Sequence, residues 1–426
     1  MIRKPYPHLG EQVYEAQLPN GLTVKVVSKA GFAKTHAFFA VNYGSMDTRF
    51  SLDGVSHRTT EGVAHFLEHK MFDMPYGNAM QKFSQFGGSP NAFTSYDMTA
   101  YYVECTDHVK ENLEILLEYV TTPYFTKESA EKEQGIIAQE IRMYEDSADS
   151  CVFENLFAAL FAHHPIRNPI AGTVESIVAI TDKTLHQCYE AFYTPGNMVL
   201  CVVGDVEPQM IFDLAESVVP KGHTVPVRDY GEPELMRPHK NRMEKNMEVS
   251  MPAFALGFKT EPARSGADSM KLEIVGELAA EVLVGESSPL YSKLYEENLI
   301  DSGFSSGYEG LKGAILLSAS GDSKNPDAVL EQILHEAERI GRDGINKELF
   351  TRLKRSALGR RIRALDSFSG ICYRICACHF EGADALAFPE LFREVDMEQV
   401  AEFLSRTVRE DRCAISVIHP CHQGGM

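Results

Sequence analysis

The chain has 426 residues, of which 44% are hydrophobic and 24% are charged. This length exceeds what one compact core usually holds, so we expect two or more domains, and the composition excludes an intrinsically disordered protein. The 41 Lys and Arg residues stand against 60 Asp and Glu residues, which gives a formal net charge of −19. A field of that sign disfavours nucleic acid and anionic membrane surfaces as partners.

The N-terminal segment 1–7 (MIRKPYP) carries two basic residues without a following apolar run, and nowhere do about 18 apolar residues follow one another. We therefore expect a protein that is neither secreted nor membrane-spanning. The nine cysteines show no framework spacing, which favours a reducing, cytoplasmic compartment. A cluster near residue 375 lies in an apolar helical run, which predicts buried thiols more than a second metal site. Its members are Cys372, Cys376, Cys378 and His379.

In chain order, a strand at 22–27 (LTVKVV) precedes long amphipathic helical runs, and a Pro- and Gly-rich stretch at 221–238 then reads as a linker. The second half repeats this order, with a strand at 254–258 (FALGF) followed by helical runs that include a helix at 290–299. The strand 100–103 corresponds in order to 314–317. The helix that starts near Val109 likewise corresponds to one near Ala328.

An offset of 211 residues aligns the two halves. It pairs Lys82 with Lys293, Phe93 with Phe304 and Ser95 with Ser306. We therefore predict an α+β fold of two homologous α/β repeats, a duplicated mixed sheet with packed helices. The predicted segments are a catalytic repeat at 1–220, a linker at 221–238 and a degenerate repeat at 239–426. Two unrelated α+β domains are the alternative.

The segment 61–72 (EGVAHFLEHKMF) contains the strongest chemical signal. In a helix, His65 and His69 lie on one face about 40° apart and can bind one metal ion together. Glu68 lies to the side opposite the one where the glutamate of the HExxH arrangement lies, so the geometry is a mirror image with equivalent chemistry. A surface helix with two solvated histidines is the alternative interpretation.

A catalytic zinc site needs a third protein ligand and one position open to water. The best source is a helix predicted at 128–146, where Glu133 and Glu140 lie two turns apart on one face. That face also carries Ile137, Ile141 and Tyr144, which predicts that both carboxylates point towards a core. A buried carboxylate needs a partner, and either a metal ion or a metal-bound histidine supplies one.

These motifs resemble those of the pitrilysin-type inverted zincins, which include insulin-degrading enzyme, the mitochondrial processing peptidase and short bacterial peptidases. The resemblance rests on the segments 61–69, 87–95 (GGSPNAFTS), 192–198 (FYTPGNM) and 202–206 (VVGDV), together with Glu133 and Glu140. It implies that His65, His69 and Glu140 are zinc ligands. The candidate catalytic residues are then Glu68, as general base, and Glu133, as a carboxylate that supports the metal site.

The resemblance also implies that Asn91, Ala92 and Phe93 lie on an edge strand to which a substrate peptide adds as a further strand. The expected reaction is zinc-dependent hydrolysis of short or unfolded peptides, in which metal-activated water attacks the peptide bond and Glu68 transfers the proton. A non-catalytic scaffold or partner subunit with the same fold is the competing function.

In this family a clam-shaped chamber is formed by two halves, each about the size of this chain. The resemblance therefore implies that this chain supplies one half. At the offset of 211, the second repeat has Gly276, Ala279 and Ala280 in place of the two histidines and the glutamate. Short relatives also carry an Arg and a Tyr after the helix at 290–299, whereas the corresponding stretch here, 295–302, reads YEENLIDS. We therefore expect a heterodimer whose partner contributes the Arg/Tyr pair, with a homodimer as the alternative.

Overall fold

The computed structural model describes residues 1–263 and 266–421. The strands within these residues are Ile2–Tyr6 (β1), Glu11–Gln17 (β2), Thr23–Ser28 (β3), Thr35–Val41 (β4), Arg49–Leu52 (β5), Val55–Arg58 (β6), Asp73–Met74 (β7), Gly77–Asn78 (β8), Ser89–Thr94 (β9), Thr99–Cys105 (β10), Met198–Gly204 (β11), Val227–Arg228 (β12), Arg242–Met247 (β13), Ala253–Lys259 (β14), Ser305–Leu311 (β15), Ala314–Asp322 (β16) and Cys413–Pro420 (β17).

The α-helices are Val63–Met71 (α1), Met80–Gln85 (α2), Val109–Val120 (α3), Lys127–Glu145 (α4), Ala148–Leu160 (α5), Val174–Val178 (α6), Asp182–Phe192 (α7), Pro208–Val218 (α8), Gly266–Val284 (α9), Pro289–Glu296 (α10), Pro326–Asp343 (α11), Lys347–Arg363 (α12), Phe368–Phe380 (α13), Phe388–Glu394 (α14) and Met397–Thr407 (α15). Short 3-10 turns are formed by Pro165–Arg167, Pro195–Asn197, Ala364–Asp366 and Glu410–Arg412. No helix among the described residues has both the length and the apolar character needed to cross a bilayer.

The described chain forms two compact units, and both are discontinuous in sequence. The first unit contains Met1–Ile141, Pro169–Tyr230 and Ile362–Leu386. The second contains Arg142–Asn168, Gly231–Arg361 and the described residues from Ala387 onwards.

The first unit is built on a seven-stranded sheet in the order β1-β2-β3-β11-β4-β10-β9. One face of its central strands, with Val26 and Phe39 among its residues, packs into a core with α1, α3, α4, α7 and α8. Because side chains alternate along a strand, His36 and Cys201 lie on the opposite face. The backbone oxygens of both residues accept hydrogen bonds from the Cys372 thiol, which shows that α13 covers that face.

The second unit is built on a five-stranded sheet in the order β13-β17-β14-β16-β15. Helix α5 packs against β14 and β17, where the absence of a side chain at Gly257 leaves room for Leu156 and Leu160. Helix α9 packs against β15, and the ring of Tyr308 occupies the space that a Cβ atom at Gly276 would fill.

The two sheets confirm the predicted pair of sheet-and-helix repeats. In the first unit the series β3-β11-β4-β10-β9 begins with a parallel pair and continues antiparallel. In the second unit the series β13-β17-β14-β16-β15 has the same order and the same strand directions. The strand correspondence predicted from the sequence, 100–103 with 314–317, is therefore the correspondence of β10 with β16.

The compact units differ from the predicted segments 1–220 and 239–426 in two helices. Helix α5 from the first half packs on the sheet of the second unit, and α13 from the second half packs on the sheet of the first. Residues 264–265 and 422–426 of the predicted second repeat lie outside the described residues. As bounds of the sequence repeats, these segments stay a prediction.

Two local features also differ from expectation. The helix predicted at 290–299 ends at Glu296, and Asn298 then adopts a left-handed backbone conformation with φ of 54°. The predicted linker contains β12, which pairs with β5. Next to that pairing, Arg228 forms an ion pair of 3.0 Å with the fully buried carboxylate of Asp47. The middle of the predicted linker is therefore held on the first unit.

Candidate metal centre

Helix α1 holds the two histidines in a buried position. The helix begins after Gly62, whose φ is 87° and where a Cβ atom would lie 2.5 Å from the backbone oxygen of Ala171. That close approach requires glycine and fixes the start of the helix. One turn apart on the same face, the rings of His65 and His69 have centroids separated by 4.6 Å.

Helix α4 brings a carboxylate to these imidazoles. Ile137 and Ile141 are buried in the core and set the rotation of the helix. Glu140 then lies with one carboxylate oxygen 3.5 Å from His65 Nε2 and the other 3.5 Å from His69 Nε2. Tyr144, predicted to share the inward face, is instead exposed.

The three side chains fit a metal ion. One ligand atom from each of His65, His69 and Glu140 lies within 4.8 Å of the other two, and no other group of three potential metal ligands meets this criterion in the described chain. Two imidazole nitrogens and a carboxylate oxygen are a donor set of catalytic zinc sites. The three residues predicted to be ligands therefore lie close enough together to share one ion.

Glu133, two turns before Glu140, is placed behind His69 and not among the metal donors. Its Oε1 atom lies 3.1 Å from His69 Nδ1. Burial acts to lower the pKa of His69, but this hydrogen bond and the neighbouring carboxylates raise it overall. Conversely, burial acts to raise the pKa of Glu133, but His69 and Lys70 lower it overall. The ring of His65 lacks a comparable support, since its buried Nδ1 has no hydrogen-bond partner among the described residues.

Glu68 is almost fully buried beside the histidines. Burial raises the pKa of its carboxyl group above the ordinary value, although a hydrogen bond from the Thr94 hydroxyl and the nearby histidines oppose that effect. The Thr94 Oγ1 atom donates to Glu68 Oε2 at 2.7 Å. A carboxylate held in this way is available to take a proton beside the metal donors.

Strand β9 is an edge of the first sheet, because its pairing in the described chain is with β10 alone. The Ala92 amide does not donate to β10 but to the side-chain oxygen of Asn91, at 2.9 Å. Ala92 packs on the core face and Phe93 on the other, where its ring lies 6.0 Å from that of Tyr373. A free edge with an outward amide can accept an extended peptide as a further strand.

The corresponding region of the second unit contains no equivalent site among its described residues. Gly276, Ala279 and Ala280 are buried in α9. The predicted cysteine cluster consists of free thiols, with Cys372 and Cys376 completely buried in α13. That outcome agrees with the prediction of buried thiols.

Two residues next to the site make contacts that were not predicted from the sequence. They are Lys70, which follows His69 and is buried, and Thr94, which ends β9. A charged residue inside an otherwise apolar helix is a signal that could have identified Lys70. Thr94 gives no such signal, because threonine is an ordinary strand residue.

The sequence matches two known family models. Residues 37–174 match the family model described as insulinase (peptidase family M16), and residues 179–357 match the model described as peptidase M16 inactive domain. The chain is 35% identical to the uncharacterized zinc protease YmfH of Bacillus subtilis (strain 168) over 97% of this chain and 98% of that protein.

The crystal structure of an M16-like peptidase from Alicyclobacillus acidocaldarius superposes with a TM-score of 0.93 at 32% identity, covering 99% of this chain and 100% of that one. A probable mitochondrial-processing peptidase subunit beta of Arabidopsis thaliana is 28% identical over 48% of this chain and 38% of that protein. The structural match to the Alicyclobacillus peptidase therefore extends over nearly the whole chain.

Proposed function

Because the chain belongs to peptidase family M16, we propose that it is a zinc-dependent endopeptidase that hydrolyses short or unfolded peptides. The observation that carries this proposal is the convergence of His65, His69 and Glu140 on one point, with the buried Glu68 beside them. Relatives named zinc proteases support the choice of metal.

In this proposal the two Nε2 atoms and the Glu140 carboxylate hold the ion, and Glu133 fixes the orientation of His69. A zinc ion bound by these donors would polarise the substrate carbonyl and lower the pKa of a water molecule. Glu68 accepts a proton from the attacking water and passes it to the leaving amine. A raised pKa suits a residue that must first take a proton and then release it near neutral pH.

The edge of β9 suggests the form of the substrate. An added strand forms main-chain hydrogen bonds with an edge irrespective of sequence, so affinity depends on an extended backbone. Asn91, Ala92 and Phe93 supply that edge in the proposal, and folded proteins, whose backbones are already paired, are poor substrates.

A non-catalytic partner subunit is the second candidate function. The match of residues 179–357 to a model named inactive domain favours it for the second repeat. The donors and Glu68, however, all lie within residues 37–174, which match the peptidase model. A chain that had lost activity would have no need for a buried carboxylate beside three intact metal donors, so we favour the enzyme.

We further propose that this chain works with a homologous partner, as a heterodimer or a homodimer. The stretch 295–302 has neither an Arg nor a second Tyr after Tyr295 that could stabilise an oxyanion. One relative is named as a subunit, which supports a partner in this family. We place the protein in the cytoplasm, since its nine cysteines are free thiols.

The decisive experiment compares Glu68→Gln with the wild type, each in the presence of the proposed partner subunit, in cleavage of unstructured peptides. We expect the variant to keep one zinc ion per chain and to lose cleavage by at least about 100-fold, the effect expected on removing a general base. Glu128→Gln, an exposed substitution on α4, is the matched control and should keep full activity. Equal turnover by Glu68→Gln and the wild type would contradict the proposal.

The partner is tested separately. We expect the isolated chain to bind zinc and cleave poorly, and co-purification with a homologous subunit that carries the Arg/Tyr pair to restore cleavage. Full activity of the isolated protein at the mass of one or two identical chains would rule out an obligate heterodimer.

A further inference from the structure

Lys70 is an unusual neighbour for a metal-binding histidine. It follows His69 in α1, and only 2% of its surface is exposed. A buried ammonium beside a cation site is costly, because desolvation and the charge of the bound ion both act against it. Some compensating role is therefore expected.

We propose that Lys70 is a positioning residue that fixes Glu133 against His69, and so sets the affinity of the site for its ion. This inference rests on the proposed function of the site. The ammonium of Lys70 contacts Asp73 and Glu133, neither of which is a proposed metal ligand, so in this proposal it acts through another side chain.

The two carboxylate oxygens of Glu133 form hydrogen bonds with two different side chains. Oε1 lies 3.1 Å from His69 Nδ1, and Oε2 accepts from Lys70 Nζ at 3.4 Å. Because each oxygen of this carboxylate has its own partner, the carboxylate cannot rotate without breaking one of the two hydrogen bonds. Held in this orientation, Glu133 keeps the His69 proton on Nδ1 and leaves the lone pair of Nε2 directed towards the metal donors.

The Lys70 ammonium has a second contact besides Glu133. Its ammonium also donates to the Asp73 carboxylate, which in turn accepts a hydrogen bond of 2.7 Å from Ser129 Oγ. Ser129 and Glu133 are both on α4, four residues apart. The network therefore ties the C-terminal end of α1 to the N-terminal half of α4 at two points.

The same network also affects the position of Glu140. The carboxylate of Glu140 projects from the same helix two turns beyond Glu133, so its distance from the histidines depends on how α4 is placed against α1. The negative charges of Asp73 and Glu133 exceed the single positive charge of Lys70. The cluster of three side chains is therefore net negative, which suits a place beside a divalent cation. The alternative is that Lys70 merely balances Asp73 and has no influence on the ion.

The experiment measures zinc affinity by competition with a chelator in four forms of the full chain: wild type, Lys70→Met, Glu133→Gln and the double variant. We expect each single variant to weaken zinc binding by about 10- to 100-fold, the usual cost of losing a group that orients a metal-bound histidine. If Lys70 acts through Glu133, the double variant binds zinc no more weakly than Glu133→Gln alone.

The cobalt-substituted proteins supply a second readout. The visible absorption of bound Co²⁺ depends on the orientation of the ligands, so Lys70→Met should shift it and Lys70→Arg, which keeps the charge, should restore most of the wild-type spectrum. Lys127→Met, an exposed substitution on α4, is the control and should leave affinity and spectrum unchanged. If Lys70→Met does not fold, Lys70→Gln replaces it in the same comparison.

Wild-type zinc affinity in Lys70→Met overturns the inference, as does a double variant whose loss is the product of the two single losses. Wild-type zinc affinity in Glu133→Gln also overturns the inference, since Lys70 could then not act on the ion through Glu133. The proposed function fails by a different result, which is tight zinc binding that survives the loss of His65 or Glu140.

Discussion

The hydroxyl of Thr94, the last residue of β9, donates a 2.7 Å hydrogen bond to the carboxylate of Glu68. One residue therefore links the edge strand proposed to bind substrate with the group proposed to move the proton. Thr94 Oγ1 also lies 3.3 Å from Thr99 Oγ1, and the Thr99 hydroxyl donates to the Tyr43 backbone oxygen.

Replacing Thr94 by Val should lower kcat with little change in zinc content. Valine has nearly the same shape but leaves Glu68 Oε2 without its donor, and a hydrogen bond to a charged group contributes about 1.5–3 kcal/mol. We expect a loss of roughly 10-fold or more. Thr94→Ser keeps the hydroxyl and is the matched control. Equal kcat in the Val and Ser variants would show that the hydrogen bond does not matter for turnover.

Removing a metal donor should remove the ion. We expect His65→Ala and Glu140→Ala to lose tightly bound zinc, as measured by metal analysis after dialysis, because two remaining ligands do not complete a zinc site. His8→Ala, an exposed histidine outside the site, should retain one ion per chain. A full equivalent of zinc in either donor variant would refute the assignment.

Ala92→Pro should weaken peptide binding without disturbing the fold. The Ala92 amide points away from β10, and proline is tolerated in an edge strand where the lost amide faces outward. We expect a higher KM for peptides and an unchanged zinc content. Ala92→Gly keeps the amide and should behave nearly like the wild type in KM. An unchanged KM in the Pro variant would argue against strand addition at this edge.

Unstructured peptides should be cleaved much faster than folded proteins. A stable domain and its own unfolded form, offered at equal concentration, make the comparison independent of sequence. Similar rates on both forms would contradict selection by an extended backbone.

Acid should destabilise the protein in part through His36, which lies on the sheet face covered by α13. Burial lowers the pKa of His36 to about 4, although Glu104 opposes that effect. Between pH 4 and about 6.5 the unfolded chain binds a proton that the folded chain does not, so this contribution to stability is complete above pH 6.5 and falls as the pH drops towards 4. In urea unfolding, His36→Gln should lose less stability than the wild type over that interval. A parallel decline in both proteins would show that His36 does not contribute.

Much of the site was predictable because it depends on local periodicity. The spacing of His65 and His69 fixes their common face in any helix, and the seven-residue separation of Glu133 and Glu140 does the same for α4. The predicted helix 128–146 differs from α4 by one residue at each end. Which carboxylate approaches both histidines was not derivable from spacing, since both lie on one face. In the structure Glu140 lies 3.5 Å from the Nε2 atom of each histidine, whereas Glu133 contacts only Nδ1 of His69.

The parts that the sequence did not reveal depend on contacts between distant segments. The pairing of Lys70 with Glu133 joins residues 63 positions apart, and the bond from Thr94 to Glu68 spans 26. The packing of α13 on the first sheet is more remote still, because its apolar face would fit either sheet by composition alone. Periodicity indicates that such a face is buried but not against which strands.

The reciprocal placement of α5 and α13 has a consequence for synthesis of the chain on the ribosome. When Tyr230 has been made, the first sheet still lacks the helix that covers His36 and Cys201, and residues 231–361 must be translated before that helix appears. At ordinary elongation rates this delay is on the order of 10 s, during which one face of a nascent sheet is open to chaperones and to aggregation. A fragment ending at 230 would keep that face uncovered, so we expect it to be less stable and more prone to aggregation than the full chain.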